Sequence, residues 1–325
     1  MITRRNALIG SLAAGATALL RPARSLFAKA AQPATPVAFA VPGGACDCHT
    51  HIFGDQTRFP LWSGRTYTPE TASIEEMRQL HRALHMDRVV IVHPSIYGTD
   101  NSCTVDALRV FGGAHARGIA VINDKISDAQ LDDMHRAGVR GIRINLETFG
   151  QADPSAARQR FQAALQRVKG RGWHIQIYTR LSVVEALQND IAASPVPVVI
   201  DHFGLAQAVQ GTGQPGFSAL VQLVREGKAY VKVSGAYRVS TQKPDYADAA
   251  PLATALIQAN AQRIVWGTDW PHPIGLPLPG KTATDLAPVL QIDDGRLLNQ
   301  LPVWAPDAGV RKTILVDNPA RLYGF

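Results

Sequence analysis

Eight short apolar segments recur along the chain, and this recurrence restricts the possible folds more than any other feature. The segments are 45–51, 88–93, 118–123, 139–146, 173–179, 196–202, 229–235 and 263–268. Between them lie stretches with helical periodicity at Ser73–His85, Val105–Arg117, Asp128–Ala137, Ser155–Lys169, Ser182–Ala193, Phe217–Glu226 and Ala247–Ala259. Buried strands that alternate with helices pair in parallel through right-handed crossovers. Eight such units in about 280 residues predict a closed (β/α)8 barrel, the TIM-barrel architecture.

An open, doubly wound parallel sheet is the alternative to the barrel. Many sheets of that kind bind nucleotides through a glycine-rich turn after the first strand. Here no G-x-G-x-x-G follows the first apolar segment, and the phosphate-binding pattern G-x-x-x-x-G-K-[ST] does not occur. The barrel is therefore the favoured fold, with residues 45–325 as a single domain.

Residues 1–30 have the pattern of a targeting peptide. Arg4 and Arg5 precede a long uncharged run, and the A-x-A pattern at Ala28–Ala30 fits a cleavage site. The arginine pair resembles a twin-arginine export signal. We therefore expect export to the periplasm, with the proline- and alanine-rich residues 31–44 as a linker. An ordinary secretory signal or an uncleaved membrane anchor is the alternative.

The net charge reflects the targeting peptide more than the domain behind it. The chain has 33 Lys and Arg against 26 Asp and Glu, a formal net charge of +7. Five basic residues and no acidic ones lie in residues 1–30, so the remainder carries 7 − 5 = +2. A charge this small does not indicate binding to nucleic acid or, once the signal is removed, to a membrane. The sequence carries no indication of the oligomeric state.

Polar residues interrupt the apolar segments at their carboxyl ends. In a TIM barrel, functional groups gather at these ends of the strands. The residues concerned are His49, His51, His93, Ser95, Arg143, Asn145, Tyr178, Asp201, His202, Ser234, Tyr237, Arg238, Asp269 and His272. Their common position predicts an active site at one mouth of the barrel.

Side chains alternate between the two faces of a strand, and this rule assigns the first segment. It places Asp47, His49 and His51 on one face, which we expect to point into the barrel. It places Cys46 and Cys48 on the other face, as free thiols packed beneath the helices.

The same alternation extends the predicted site to the sixth and eighth segments. His202 shares a face with Val198 and Ile200, and Asp269 shares a face with Val265. We therefore expect three imidazoles and one carboxylate to converge inside the mouth of the barrel.

Four motifs in barrel order resemble the amidohydrolase superfamily. They are "DCHTHIFG" at the first strand, "IDHFG" at the sixth, "WGTDWPHP" at the eighth and the terminal "DNPARLYGF". More narrowly, they are similar to its lactonase branch, which includes 2-pyrone-4,6-dicarboxylate lactonase. The resemblance covers nearly all of the chain after residue 44, and it implies an amidohydrolase-like TIM barrel that hydrolyses a cyclic ester.

The resemblance also implies roles for individual residues. The implied catalytic residues are His49, His51, His202 and Asp269. The implied substrate-binding residues are Tyr67, Ser95, Arg143, Tyr178 and Arg238. The sequence leaves two roles open for His272, which either contacts substrate or holds the turn between two prolines. Glu147 departs from the more basic character of the dicarboxylate enzyme and leaves the particular lactone undecided.

The sequence allows two answers to whether the site holds a metal. Three histidines and an aspartate, His49, His51, His202 and Asp269, are a possible zinc ligand set. Metal-dependent relatives usually add a histidine on the fifth strand, where the inward positions here are Gln176 and Tyr178. Arg143 on the fourth strand cannot act as a ligand. We therefore expect no cofactor, with one zinc or similar ion as the alternative.

The expected reaction is hydrolysis of a small anionic lactone, pyrone-like or muconolactone-like. Asp269 activates a water, the three imidazoles polarise the carbonyl, and Arg143 and Arg238 hold a substrate carboxylate. The first alternative is a metal-dependent amidohydrolase or decarboxylase acting on a small aromatic or cyclic acid. The second is a non-catalytic protein that binds such an acid. A serine hydrolase is disfavoured because no G-x-S-x-G occurs.

Overall fold

The structure is a computed structural model that describes residues 30–325, and it is built around an eight-stranded parallel barrel. The strands are β1 (Cys46–Thr50), β2 (Arg88–Val92), β3 (Ala116–Ala120), β4 (Val139–Asn145), β5 (His174–Tyr178), β6 (Val198–Ile200), β7 (Ala229–Ser234) and β8 (Ile264–Gly267). Each pairs with the next in chain order. Just beyond the last strand, the Asp269 amide donates to the His49 carbonyl (2.8 Å) and the His51 amide to the Trp270 carbonyl (2.8 Å). These bonds nearly close the ring, and the predicted TIM barrel is confirmed.

Thirteen α-helices of the described residues surround or cap the barrel. They are α1 (Ile74–Leu84), α2 (Ser102–Phe111), α3 (Asp128–Ala137), α4 (Pro154–Val168), α5 (Leu181–Ala186), α6 (Gln188–Ala192), α7 (Phe217–Arg225), α8 (Ala236–Val239), α9 (Ala250–Asn260), α10 (Asp294–Asn299), α11 (Leu301–Trp304), α12 (Ala308–Lys312) and α13 (Asn318–Tyr323). A reciprocal capping box between Ser73 and Glu76 starts α1. In residues 30–325 no helix is long and apolar enough to cross a membrane.

The third strand differs from its prediction of 118–123, since it begins at Ala116 and ends at Ala120. The side chain of Asn101 explains the early end. It accepts from the Val121 amide (3.0 Å) and donates to the Val121 carbonyl (2.8 Å). Because both backbone groups of Val121 are already bonded, the ladder stops one residue before it.

The predicted signal at 1–30 lies outside the described residues except for Ala30. Residues 31–44 contain no helix or strand and lie along the barrel. The Trp270 indole donates to the Ala31 carbonyl (2.9 Å), and Thr35 donates to Asp293 (2.6 Å). The segment expected to be a linker is thus held against the loop after β8 and the start of α10.

A bulge in β1 overturns the expected facing of its side chains. Asp47 pairs with Val89 and Thr50 with Ile91, so three steps along β1 oppose two along β2. Cys46 and Cys48 therefore pack inside the barrel rather than beneath the helices.

The same bulge separates Asp47 from the histidines that follow it. The carboxylate of Asp47 accepts from the Thr268 hydroxyl (2.7 Å) and lies 3.4 Å from His81 of α1, outside the barrel wall. His49 and His51 both point inward. The prediction that Asp47 shares their face was wrong because an extra residue reverses the alternation between Cys48 and His49.

Candidate active site

Four buried side chains converge at the carboxyl ends of β1, β6 and β8. The Nε2 atoms of His49, His51 and His202 lie 3.6, 3.5 and 3.8 Å from Oδ1 of Asp269. All four residues are buried. The structure thus brings together the imidazoles and the carboxylate that the sequence placed at the strand ends.

Strand alternation does not explain why the His202 side chain points into this cluster. Val198 and Ile200 pack outward against the helices, so the expectation that His202 shares their inward face was wrong. His202 instead has a left-handed backbone with φ 49°, and Asp269 has φ 67°. L-residues rarely adopt this conformation, and such strained backbone is often found at functional sites. The turned backbone at the end of β6 redirects the imidazole into the mouth.

The hydrogen-bond partner of His51 fixes its tautomer. Its Nδ1 lies 2.8 Å from the Val92 carbonyl oxygen, and a carbonyl can only accept. The ring therefore carries its hydrogen on Nδ1. In the neutral ring, Nε2 then presents a lone pair toward Asp269.

The two oxygens of Asp269 have different surroundings. Oδ2 accepts from the Tyr237 hydroxyl (2.6 Å) and from Nε of Arg238, whereas Oδ1 has no hydrogen-bond partner among the described residues. Burial alone would raise the pKa of Asp269. The positive charge of Arg238 outweighs burial and holds that pKa well below its usual range. Asp269 is therefore a carboxylate with one free oxygen.

A second layer of polar groups lies beneath His49. Its Nδ1 is 3.3 Å from Oδ1 of Asp201 and 3.3 Å from Nζ of Lys232. Lys232 also donates to Gln176 (2.7 Å), and Asp201 accepts from Gln176 (2.9 Å) and from Arg143 (3.2 Å). The sequence placed Asp201 at the mouth of the barrel and Gln176 at an inward position but gave neither a role, and it did not single out Lys232. The available signal was a lysine inside the apolar segment "AYVKVSG".

Burial keeps the imidazoles uncharged. Burial and then the positive charge of Lys232 hold the pKa of His49 well below its usual range. Burial also lowers the pKa of His51 and lowers that of His202 to about 4. At neutral pH the cluster therefore consists of neutral rings around one carboxylate.

A cavity of about 300 Å³ opens above the cluster. The side chains that line it include His51 and Asp269 from the cluster and five predicted substrate-binding residues, Tyr67, Ser95, Arg143, Tyr178 and Arg238. His272 is not among the lining residues. It is fully buried, with Nε2 3.0 Å from Asp294. The structure thus gathers five of the six predicted substrate-binding residues around one small space.

Glu147 also lines the cavity, but its charge is already paired. It contacts the Arg180 guanidinium (2.6 Å) and accepts from the Arg180 amide (2.9 Å). Arg143 and Arg238 are therefore the positive charges of the lining that Glu147 does not neutralise, and the cavity wall is net positive. Such a wall suits a small anionic ligand.

The distances in the cluster are compatible with a bound cation. Zinc bonds of about 2.0–2.1 Å put tetrahedral ligand atoms about 3.4 Å apart, close to the 3.5–3.8 Å found here. Oδ1 of Asp269 and Nε2 of His49 are buried without partners among the described residues. His51 offers a lone pair, and His49 offers one only if its hydrogen is on Nδ1. Two groups of residues meet the spacing of a metal site, His49–His51–Asp269 and His49–Asp201–His202.

Comparisons with known proteins agree with this fold. The amidohydrolase family profile matches residues 46–325. The chain is 35% identical to 4-sulfomuconolactone hydrolase from Hydrogenophaga intermedia, over 89% of this chain and 91% of that protein. It is also 35% identical to 2-pyrone-4,6-dicarboxylate hydrolase from Comamonas testosteroni, over 90% and 94%. A solved Agrobacterium tumefaciens structure has a TM-score of 0.73 at 25% identity, covering 90% of this chain and 98% of that one.

Proposed function

The chain belongs to the amidohydrolase family and is a hydrolase, and we propose that it hydrolyses a small carboxylated lactone without a metal ion. One observation carries the proposal. An ionised carboxylate with a free oxygen faces three neutral imidazoles, beneath a cavity lined by arginines. The relatives named for hydrolysis of sulfomuconolactone and of pyrone dicarboxylate support the substrate class.

The free oxygen of Asp269 and Nε2 of His51 together form a binding site for water. Both atoms accept hydrogen bonds, and they lie 3.5 Å apart with no hydrogen between them. A water bound at this site donates its hydrogens to both acceptors and directs a lone pair toward the lactone carbonyl. Asp269 takes the proton as the bond to the carbonyl carbon forms.

The tetrahedral intermediate needs hydrogen-bond donors near its oxyanion. His49 in the tautomer with hydrogen on Nε2 points such a donor at the centre of the cluster, and His202 lies beside it. His51 cannot serve in this way while its hydrogen is bonded to Val92, so we assign it to the water. When the ring C–O bond breaks, protonated Asp269 returns its proton to the leaving alkoxide, which completes the hydrolysis.

Arg143 and Arg238 give the cavity its preference for an anion. Arg143 lies with its guanidinium 4.9 Å from the centre of the Tyr178 ring and uses only Nε on Asp201 among the described residues. Its terminal nitrogens are therefore the donors available to a substrate carboxylate. Arg238 also holds Asp269 in place, so it contributes to both binding and base positioning.

A metal ion at the cluster is the rival of the metal-free reaction. His49, His51, His202 and Asp269 would hold it, and it would polarise the lactone carbonyl as a Lewis acid. We favour the metal-free reaction because Arg143, Arg238 and Lys232 already place three cationic groups around two carboxylates, Asp201 and Asp269.

A panel of lactones assayed with and without chelator tests the function. We expect turnover of carboxylated pyrones or muconolactones by protein lacking residues 1–30, unchanged by prolonged chelation and with less than one metal ion per ten chains. Loss of activity on chelation with recovery by zinc would establish the metal-dependent alternative. Ligand binding without hydrolysis of any lactone would establish a binding protein.

A variant of Glu147 tests whether the cavity distinguishes substrates with one carboxylate from substrates with two. In Glu147→Gln the Arg180 guanidinium loses its ion pair and can face the cavity. We expect kcat/KM for a dicarboxylated lactone to rise about fivefold relative to a monocarboxylated one, since exposed charge pairs are worth up to about 1 kcal/mol. Steady-state kinetics on both substrates measures the ratio. An unchanged ratio would show that Arg180 does not reach the substrate.

A further inference from the structure

The lysine beneath His49 has no part in the steps described above. Lys232 lies on the inward face of β7 and is fully buried. An ammonium carries three hydrogens and no lone pair, so each close polar neighbour must accept from it or interact with its charge. Its neighbours are Gln176 Oε1 at 2.7 Å, His49 Nδ1 at 3.3 Å and Asp201 Oδ1 at 3.6 Å.

Two groups compete for Nδ1 of His49, and they demand opposite tautomers. Asp201 would accept a hydrogen from Nδ1, whereas Lys232 would donate one to it. Both lie at 3.3 Å. The contact with Lys232 has the geometry of a hydrogen bond to Nδ1, whereas Oδ1 of Asp201 receives no well-aligned hydrogen bond from any described residue.

We propose that Lys232 is a positioning residue that donates to Nδ1 of His49 and so places the hydrogen of this imidazole on Nε2, which lies 3.6 Å from Oδ1 of Asp269 inside the cluster. Asp201 balances the ammonium charge, while its other oxygen is held by Gln176 and Arg143. The catalytic consequence rests on the proposed lactone hydrolysis, although the tautomer itself does not.

The two histidines of the "HTH" motif then have opposite roles in one buried cluster. His49 offers a donor to the oxyanion, and His51, bonded to Val92, offers an acceptor to the water. If Lys232 were absent, Nδ1 of His49 could carry the hydrogen toward Asp201. Its Nε2 would then be a third acceptor, and the oxyanion would lose a donor.

Nitrogen NMR of protein with ¹⁵N-labelled histidine tests the tautomer without any substrate. We expect His49 to show a protonated Nε2 and an unprotonated Nδ1, and His51 to show the reverse. Signals missing from His49→Gln assign the ring. Protonation of Nδ1 in His49 of the unmodified chain would overturn the proposal, and this measurement needs no variant at position 232.

In Lys232→Met the side chain keeps a similar length but cannot donate to His49. This variant tests whether the contact between Lys232 and His49 affects catalysis. We expect His49 to change tautomer and kcat to fall about 10²-fold, in the range for loss of an oxyanion donor, with KM changed less than about threefold. A fall in kcat with the His49 tautomer unchanged would overturn the positioning role. The control is Tyr230→Phe. Tyr230 lies two residues before Lys232 on β7, and its hydroxyl contacts Arg263. The control should leave both the His49 tautomer and kcat unchanged.

The two proposals fail separately. If His49 has the expected tautomer and no lactone is hydrolysed, the role of Lys232 in fixing the ring stands and the proposed function falls. If lactones are hydrolysed and His49 carries its hydrogen on Nδ1, the function stands and the role of Lys232 falls.

Discussion

Asp269→Asn is expected to lower kcat about 10³-fold while leaving product binding within about tenfold of the unmodified enzyme. Loss of a general base costs about 10²–10⁴ in rate, and no neighbouring group can replace this one. The imidazoles are poor substitutes, since burial lowers the pKa of His202 to about 4. The asparagine oxygen can still accept from Tyr237 and Arg238, so the fold should be retained.

Steady-state kinetics gives kcat, and calorimetric titration with the hydrolysed product gives the binding constant. The matched control is Asp307→Asn, because Asp307 caps α12 by accepting from the Val310 amide (2.9 Å) and asparagine caps equally well. Its kcat should not change. If Asp269→Asn kept more than a tenth of the original kcat, Asp269 would not be the base.

Arg143→Met should raise KM for a carboxylated lactone about 10²-fold. A hydrogen bond to a charged partner is worth about 1.5–3 kcal/mol, and the terminal nitrogens of Arg143 are the donors left for the substrate. Asp201 keeps Gln176 and Lys232 as partners in the variant, so its carboxylate is not left uncompensated. We expect kcat to change much less than KM, since the guanidinium binds the substrate carboxylate and not the atoms that react.

An uncharged lactone of the same ring size is the matched substrate for this variant. Its KM should change less than about threefold, because it has no carboxylate for Arg143 to bind. Arg158→Met removes a half-exposed arginine of α4 that pairs with Asp190 of α6, and it should leave both KM values unaltered. An equal rise in KM for the neutral lactone would mean that Arg143 shapes the cavity and does not recognise the carboxylate.

Much of the fold could be predicted because its signals are local. Apolar runs separated by helical periods specified eight parallel strands, and the strand-end rule selected His49, His51, His202 and Asp269. The capping box that starts α1 is complete within four residues, Ser73 to Glu76. Each of these patterns is complete within one segment of sequence.

The facing of the side chains could not be predicted in the same way. Alternation assumes an unbroken ladder, yet the bulge in β1 exists only in its pairing with β2, and His202 depends on a left-handed turn after β6. For that reason Cys48 and Asp47 were assigned to the wrong faces, although the histidines beside them were correctly expected to point inward.

The sequence by itself determined the barrel and the set of groups at its mouth, because both follow from periodicity along the chain. The tertiary structure alone decided how those groups are paired. Lys232 contacts His49, which is 183 residues away in sequence. Arg180 forms an ion pair with Glu147, and Asp294 lies within hydrogen-bond distance of His272. Hydrogen bonds and charges act over a few ångströms of space, and strands distant in sequence become neighbours only when the barrel closes.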